Sequence, residues 1–379
     1  MRLAWTLALL LSGTVSAQPA DITAKSAVTE LSADAKPTRV GAIDCVTGTS
    51  ARPSQSHIRS GAGIFGEELA AAESSSIPAD GSLVTYTTFD GKQQLQLRQY
   101  NGKYVAFLIS DADLALTSLQ FIRRQIDRYD RVYTYLRDFL GEEPAGDGLL
   151  RIAVVDDSPA SFGWVGVKGV ETSQAWFNSY QEGRDLMYTV VKHEMIHNFD
   201  HLSSFLFNAP DPAHSWTDFM QPYLEVYNRQ GFTDESSVQP EEWLRIMTDQ
   251  FFTSFLSFPG RTWLTCVQNA ACDGNNMAQH AQGGLVLRVA QAYGTANMKR
   301  WYPIAQQMVT SRNLSSTSMT GVQRNDLLFE SLSKTTGDSL ACFADSITWP
   351  ISDSLRTTLS VMPSSARVNR FETLPDGIY

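Results

Sequence analysis

The stretch Lys-His-Glu-Met-Ile-His-Asn-Phe-Asp-His at 192–201 constrains the fold more than any other part of the chain. It holds three of the six histidines. Read as a helix, it puts His193 and His197 one turn apart on the same side, with Glu194 one residue round. Two imidazoles on one face can offer nitrogen lone pairs to a single ion. A carboxylate beside them can reach a water on that ion without filling a coordination position. Met187, Val191, Met195 and Phe199 form an apolar stripe on the other side that would anchor the helix in a core. The segment therefore predicts a helix with an apolar back and a metal-binding front, capped at Asp185, with Zn2+ as the expected ion and Glu194 as general base.

The third ligand must come from elsewhere. An extended motif with Gly at 200 and His at 203 is not met, since the chain has Asp200 and Ser203. His201 lies two turns from His193 on a neighbouring side of the same helix. Three residues of one straight helix do not readily surround an ion tetrahedrally, so His201 reads as structural or supporting. Asp200 either accepts the spare N–H of a ligand imidazole or caps the helix. Glu225, in the run Pro222-Tyr-Leu-Glu-Val-Tyr-Asn228 on the next predicted helix, is the expected third ligand. Asp218 is the runner-up, and Glu241 or Glu242 stand behind it. Peptide hydrolysis also wants a donor for a tetrahedral oxyanion. Tyr227 and His280 are the candidates for that catalytic role, with Tyr223 and Tyr302 as alternatives, and each also reads as an ordinary packed side chain. Gly283 and Gly284, just after His280, would permit a close backbone approach.

Around this helix the text changes character along the chain. LVTYTTF, QQLQLRQY and KYVAFLIS read as strands, with Asn101-Gly102 marking a hairpin. A long helical pattern follows from about Leu114 to Leu140 and stops at Gly141. LLRIAVV reads as a buried strand, and Gly163 to Ser173 as a glycine-rich exposed edge strand. Beyond the motif, helices are expected from Gln221-Pro222, from Pro240, and over 277–293, 296–309, 325–334 and 338–347. Strands first and helices after, without regular alternation, predict an α+β fold. The expected organisation is a signal peptide (1–17), a linker or leader (18–82), a strand-rich lobe ending in the metal-binding helix (83–200), a helical lobe with the third ligand (201–350) and a C-terminal tail (351–379).

The first residues carry Arg2, a short apolar run from Leu3 to Leu11, and Val15-Ser16-Ala17 before Gln18, the pattern of an export signal. No later segment is apolar for long enough to span a membrane. A secreted or periplasmic location follows as the expectation. A net charge of -10 argues against nucleic acid as a partner. The four cysteines lack zinc-knuckle spacing, and in an oxidising compartment they read as disulfides, with Cys266–Cys272 and Cys45–Cys342 preferred. The sequence leaves the oligomeric state open.

His193-Glu194-x-x-His197 followed by a downstream glutamate resembles the gluzincin metallopeptidases. Within them, His-Glu-Met-Ile-His-Asn-Phe-Asp followed by Glu225-Val-Tyr-Asn is similar to the enhancin-like, mucin-directed peptidases. Bacterial collagenases share the spacing but carry Glu-Gly-x-Ala-Glu where this chain has Glu225-Val-Tyr-Asn-Arg. The resemblance implies a zincin-like fold and an exported endopeptidase acting on extracellular protein or glycoprotein. It also implies substrate docking by strand addition along Gly163 to Ser173. The alternatives are a catalytically silent module that binds glycan or protein, which has no need of Glu194, and a zinc-storage protein, which would show dispersed His-rich tracts.

Overall fold

The computed structural model describes residues 77–155, 162–163, 165–174, 177, 186–209, 211–227, 245, 247–249, 252, 254–257, 260–269, 271–272 and 276–364. All of them fall within one compact unit, Cys45–Tyr379. The expected signal peptide, nearly all of the 18–82 segment and Cys45 lie outside the described residues, as does much of the helix expected from Pro240, whose described part includes a helical turn at Ser254–Leu256.

The fold is α+β. Strands β1 (Ser82–Thr87), β2 (Gln94–Asn101), β3 (Val105–Ile109), β4 (Leu150–Val155), β5 (Phe162–Gly163) and β6 (Val170–Ser173) form one sheet of order β1-β2-β3-β4-β6-β5. The first three are an antiparallel meander, β3, β4 and β6 run parallel, and β5 returns antiparallel on the edge. Alternation along β3 explains its two environments. Val105, Phe107 and Ile109 face the main core, while Ala106 and Leu108 join Tyr86, Leu97, Ala153 and Val155 on the other face.

A short helix α1 (Asp111–Ala115) precedes α2 (Leu119–Leu140), which crosses from β3 to β4. The single helix expected from Leu114 is thus broken. The Ser118 hydroxyl accepts the Phe121 N–H and starts α2 afresh, and Gly141, at φ 75°, ends it as expected. The Asp130 carboxylate on α2 accepts the amides of Lys103, Tyr104 and Val105 and so ties down the β2–β3 turn.

The expected edge strand from Gly163 to Ser173 is two strands. Turns at 165–166 separate β5 from β6, with Gly166 at φ 73° and Gly169 at φ 154°, backbone that a continuous strand cannot contain. Only β5 lies on the edge.

Helix α3 (Leu186–Asn198) carries the histidine motif and packs on α2, β5 and β6. Val191, Met195 and Phe199 of the expected stripe are fully buried. A turn of helix α4 (Ser203–Leu206) leads to α5 (Pro212–Tyr227). Helix α5 starts nine residues before the expected Gln221-Pro222 and keeps Pro222 inside it. Asp211 accepts the His214 N–H and Pro212 takes the first helical position, so the start signal sits upstream. Pro222 removes one backbone bond, which the full burial of Tyr223 and Leu224 offsets.

Helices α6 (Asn276–Tyr293), α7 (Thr295–Ser311), α8 (Gly321–Thr336), α9 (Ala341–Ser346) and α10 (Asp353–Leu359) complete the helical part. The expected tail therefore contains a helix. Helices α5 and α6 approach so closely that a Cβ at Gly283 would stand 2.7 Å from the Ser215 carbonyl oxygen, as the Gly-Gly pair foretold. Cys266 and Cys272 form the expected local disulfide. Among the described residues no helix is long and apolar enough to cross a membrane.

Candidate metal centre

His193 and His197 project from α3 toward the first turn of α5, where they meet His214. The three rings stand 5.0, 5.0 and 5.4 Å apart between centroids, close to an equilateral triangle. One nitrogen from each lies within 4.8 Å of the other two, and among the described residues this is the one such group of possible metal ligands.

The surroundings prepare these nitrogens for a cation. Gln221 offers its carbonyl oxygen to Nδ1 of His193 at 3.0 Å, and the Asp211 carboxylate takes Nδ1 of His214 at 2.6 Å. Nδ1 then carries the proton in both rings, and each Nε2 keeps its lone pair. Nδ1 of His197 is buried with no hydrogen-bond partner among the described residues. Burial, reinforced by the charge of His214, lowers His193 to about 4, and burial pushes His197 well below the ordinary histidine value. Both are therefore neutral at pH 7. The Asp211 bond raises His214 against its own burial. Two neutral imidazoles, a third anchored at Nδ1 by Asp211, and one orphaned buried nitrogen fit a metal ion. A three-nitrogen set suits zinc, and also copper, nickel or iron, so the donors do not name the ion.

Glu194 lies beside the triangle. Its Oε2 accepts the Gly163 N–H at 2.7 Å, and burial raises its carboxyl to about 8, against the pull of that bond.

The other sequence candidates sort by what they touch. Asp218 and His280 pair with each other at 2.6 Å rather than joining the imidazole triangle. Asp200 Oδ1 accepts the amides of Leu202 and Ser203 and so holds the turn that leads into α4. His201 stands against Gly166, outside the triangle. Tyr302 donates to Glu142, and Tyr223 is packed between Phe139 and Phe219. The side chains of Glu225 and Tyr227, and all of Glu241 and Glu242, lie outside the described residues. Glu225 does share a helical register with His214, Asp218 and Gln221, at steps of four, three and four residues along α5.

His214, Asp211 and Gln221 are the site residues that sequence reasoning missed. The signal was Asp211-Pro212, a cap followed by a first-position proline, with a histidine two residues further on.

No protein-family profile matches the chain, and no curated protein does either. Similar solved structures exist. Two are crystal structures of a functionally unknown conserved protein from Bacillus anthracis str. Ames, one of them a mutant. Both align with a TM-score of 0.50, at 13% identity for the mutant and 12% for the other, over 72% of this chain. This chain spans about half of theirs, 53%. The likeness concerns the fold alone.

Proposed function

We propose that this chain is an exported, zinc-dependent endopeptidase that hydrolyses extracellular protein or glycoprotein, with His193, His197 and His214 as the metal donors and Glu194 as general base. The observation that carries this reading is the junction of three clustered imidazoles, two of them held at Nδ1 by Gln221 and Asp211, with a buried carboxylate one residue from the first of them. A zinc ion held by His193, His197 and His214 would supply Lewis acidity toward a water. Glu194 would accept the water proton at Oε1, since Gly163 holds Oε2, and return it to the leaving amine. Asp211 and Gln221 keep the donor rings oriented throughout. Asp218, one turn beyond His214 on α5, pairs with His280 of α6, and His280 is the candidate oxyanion donor among the described residues. The Cys266–Cys272 disulfide is compatible with export.

Metal content per chain and proteolysis of diverse protein and mucin substrates test this reading. The Glu194→Gln variant should retain its metal and lose about 100-fold or more in kcat/KM. A zinc-loaded, folded wild type no more active than that variant would refute the peptidase reading and leave a binding module.

A further inference from the structure

The general base is held by a segment remote from its own helix. The run Gly163-Trp-Val-Gly-Val-Lys-Gly169 repeats glycine at every third position, and all three amides bond to the motif helix or its end. Gly163 N–H donates to Glu194 Oε2 at 2.7 Å, and Gly166 N–H to the His197 carbonyl at 3.0 Å. Gly169 N–H donates to Asn198 Oδ1 at 3.1 Å, and Asn198 Nδ2 returns a bond to the Gly169 carbonyl at 2.9 Å. We propose that this three-glycine segment is a clamp that orients Glu194, with Gly163 as a positioning residue for the reaction. The inference rests on reading Glu194 as the general base.

Each glycine answers a different demand. A Cβ at 163 would lie 2.7 Å from the Glu194 carbonyl carbon and closer still to its oxygen. Those are backbone atoms of a packed helix and cannot swing aside, so any side chain at 163 drives β5 away from Glu194. At 166 and 169 the backbone itself requires glycine, with φ of 73° and 154°. The three contacts act in series. Gly166 accepts no slack because its partner is the carbonyl of a donor histidine, and Asn198 fixes the far end where β6 begins.

The amide of Gly163 donates to Glu194 Oε2, and when Glu194 is ionised, as a general base must be, this is the stronger, charge-assisted kind of hydrogen bond. It removes rotational freedom from Glu194 and commits Oε2, leaving Oε1 as the proton acceptor. A two-residue strand gains little from its ladder, so the value of β5 at this point lies in that amide.

The test replaces the donor N–H with an ester oxygen and adds no side chain. Glycolic acid placed at 163 by nonsense suppression replaces the amide with an ester in the full, zinc-loaded chain. The expected result is a fall in kcat of about 10- to 100-fold, with KM and bound zinc unchanged. Gly163→Ala should lose kcat in the same direction. An unchanged kcat in the ester protein, or a loss confined to KM or zinc content, would overturn the clamp. An amide resonance gives a readout independent of activity. In the wild type the Gly163 amide proton should resonate downfield and move upfield in Glu194→Ala. If the wild type cleaves nothing, the peptidase reading fails while this resonance still decides the clamp, and an unresponsive Gly163 amide overturns it.

Discussion

His214 does two jobs with one side chain. Its backbone amide is capped by Asp211 Oδ1, and its ring is held by Asp211 Oδ2, so a single carboxylate starts α5 and aims a donor nitrogen. Folding of the helix start and assembly of the metal centre are then the same local event. Competition against a chelator of known affinity should show His214→Ala losing roughly a hundredfold or more in zinc affinity, and Asp211→Asn about 10- to 100-fold. Glu225→Ala should leave affinity nearly unchanged. The reverse order, with Glu225→Ala stripping the metal and His214→Ala keeping it, would transfer the third position to the glutamate. Sequence reading chose Glu225 because a carboxylate on the next predicted helix can complete a tetrahedron of two histidines, one glutamate and water, and its side chain lies outside the described residues. Asp211-Pro212 carried further information, since it fixes where α5 begins and hence which face His214 presents.

Elements were legible where one rule acted alone. The alternation in β1 and β2, the buried runs of β3 and β4 and the Gly141 stop of α2 follow from periodicity and a single glycine. Errors arose where two signals competed. Pro222 looked like a helix start, but Asp211-Pro212 had already supplied one, and tertiary packing overrode the proline. The glycine-rich edge looked like one strand because a period-two reading ignores positive φ. The β2–β3 turn shows how much one distant residue can decide. Asn101-Gly102 announces a turn, but the three amides that follow are satisfied by Asp130, on a helix that local sequence does not connect to it. A Cβ at Gly102 would overlap that carboxylate, so the glycine and the aspartate form one device. Asp130→Ala should lower stability by about 2–4 kcal/mol in chemical denaturation, because it leaves three donors without their shared acceptor. A loss below about 0.5 kcal/mol would mean that water replaces the carboxylate without cost.

At the scale of the whole molecule, the sheet has two unequal faces. One lies against α2 and α3 and merges with the helical core, and the other holds, among the described residues, a cluster of six buried apolar residues. Glu171 of β6 closes the edge of that smaller face. It accepts the Tyr86 hydroxyl at 3.0 Å and the Phe89 amide at 2.6 Å, joining two segments that are not neighbours in the sheet. Burial raises its carboxyl above the ordinary glutamate value, and the two donated bonds do not cancel that effect. The folded state therefore favours the protonated acid more than the unfolded chain does. Its contribution to stability is complete below the unfolded pKa, near 4.3, and is lost as pH rises through the folded value. Glu171→Gln keeps a carbonyl oxygen for both donors and cannot ionise. Thermal melts of variant and wild type, compared at each pH with equal metal loading, should give nearly equal Tm at pH 4. The variant should then gain by a few degrees as pH rises to 7. A variant that is less stable than wild type at pH 7 would show that the ionised carboxylate holds Tyr86 and Phe89 more strongly than burial opposes it. The closure of this face would then rest on charge.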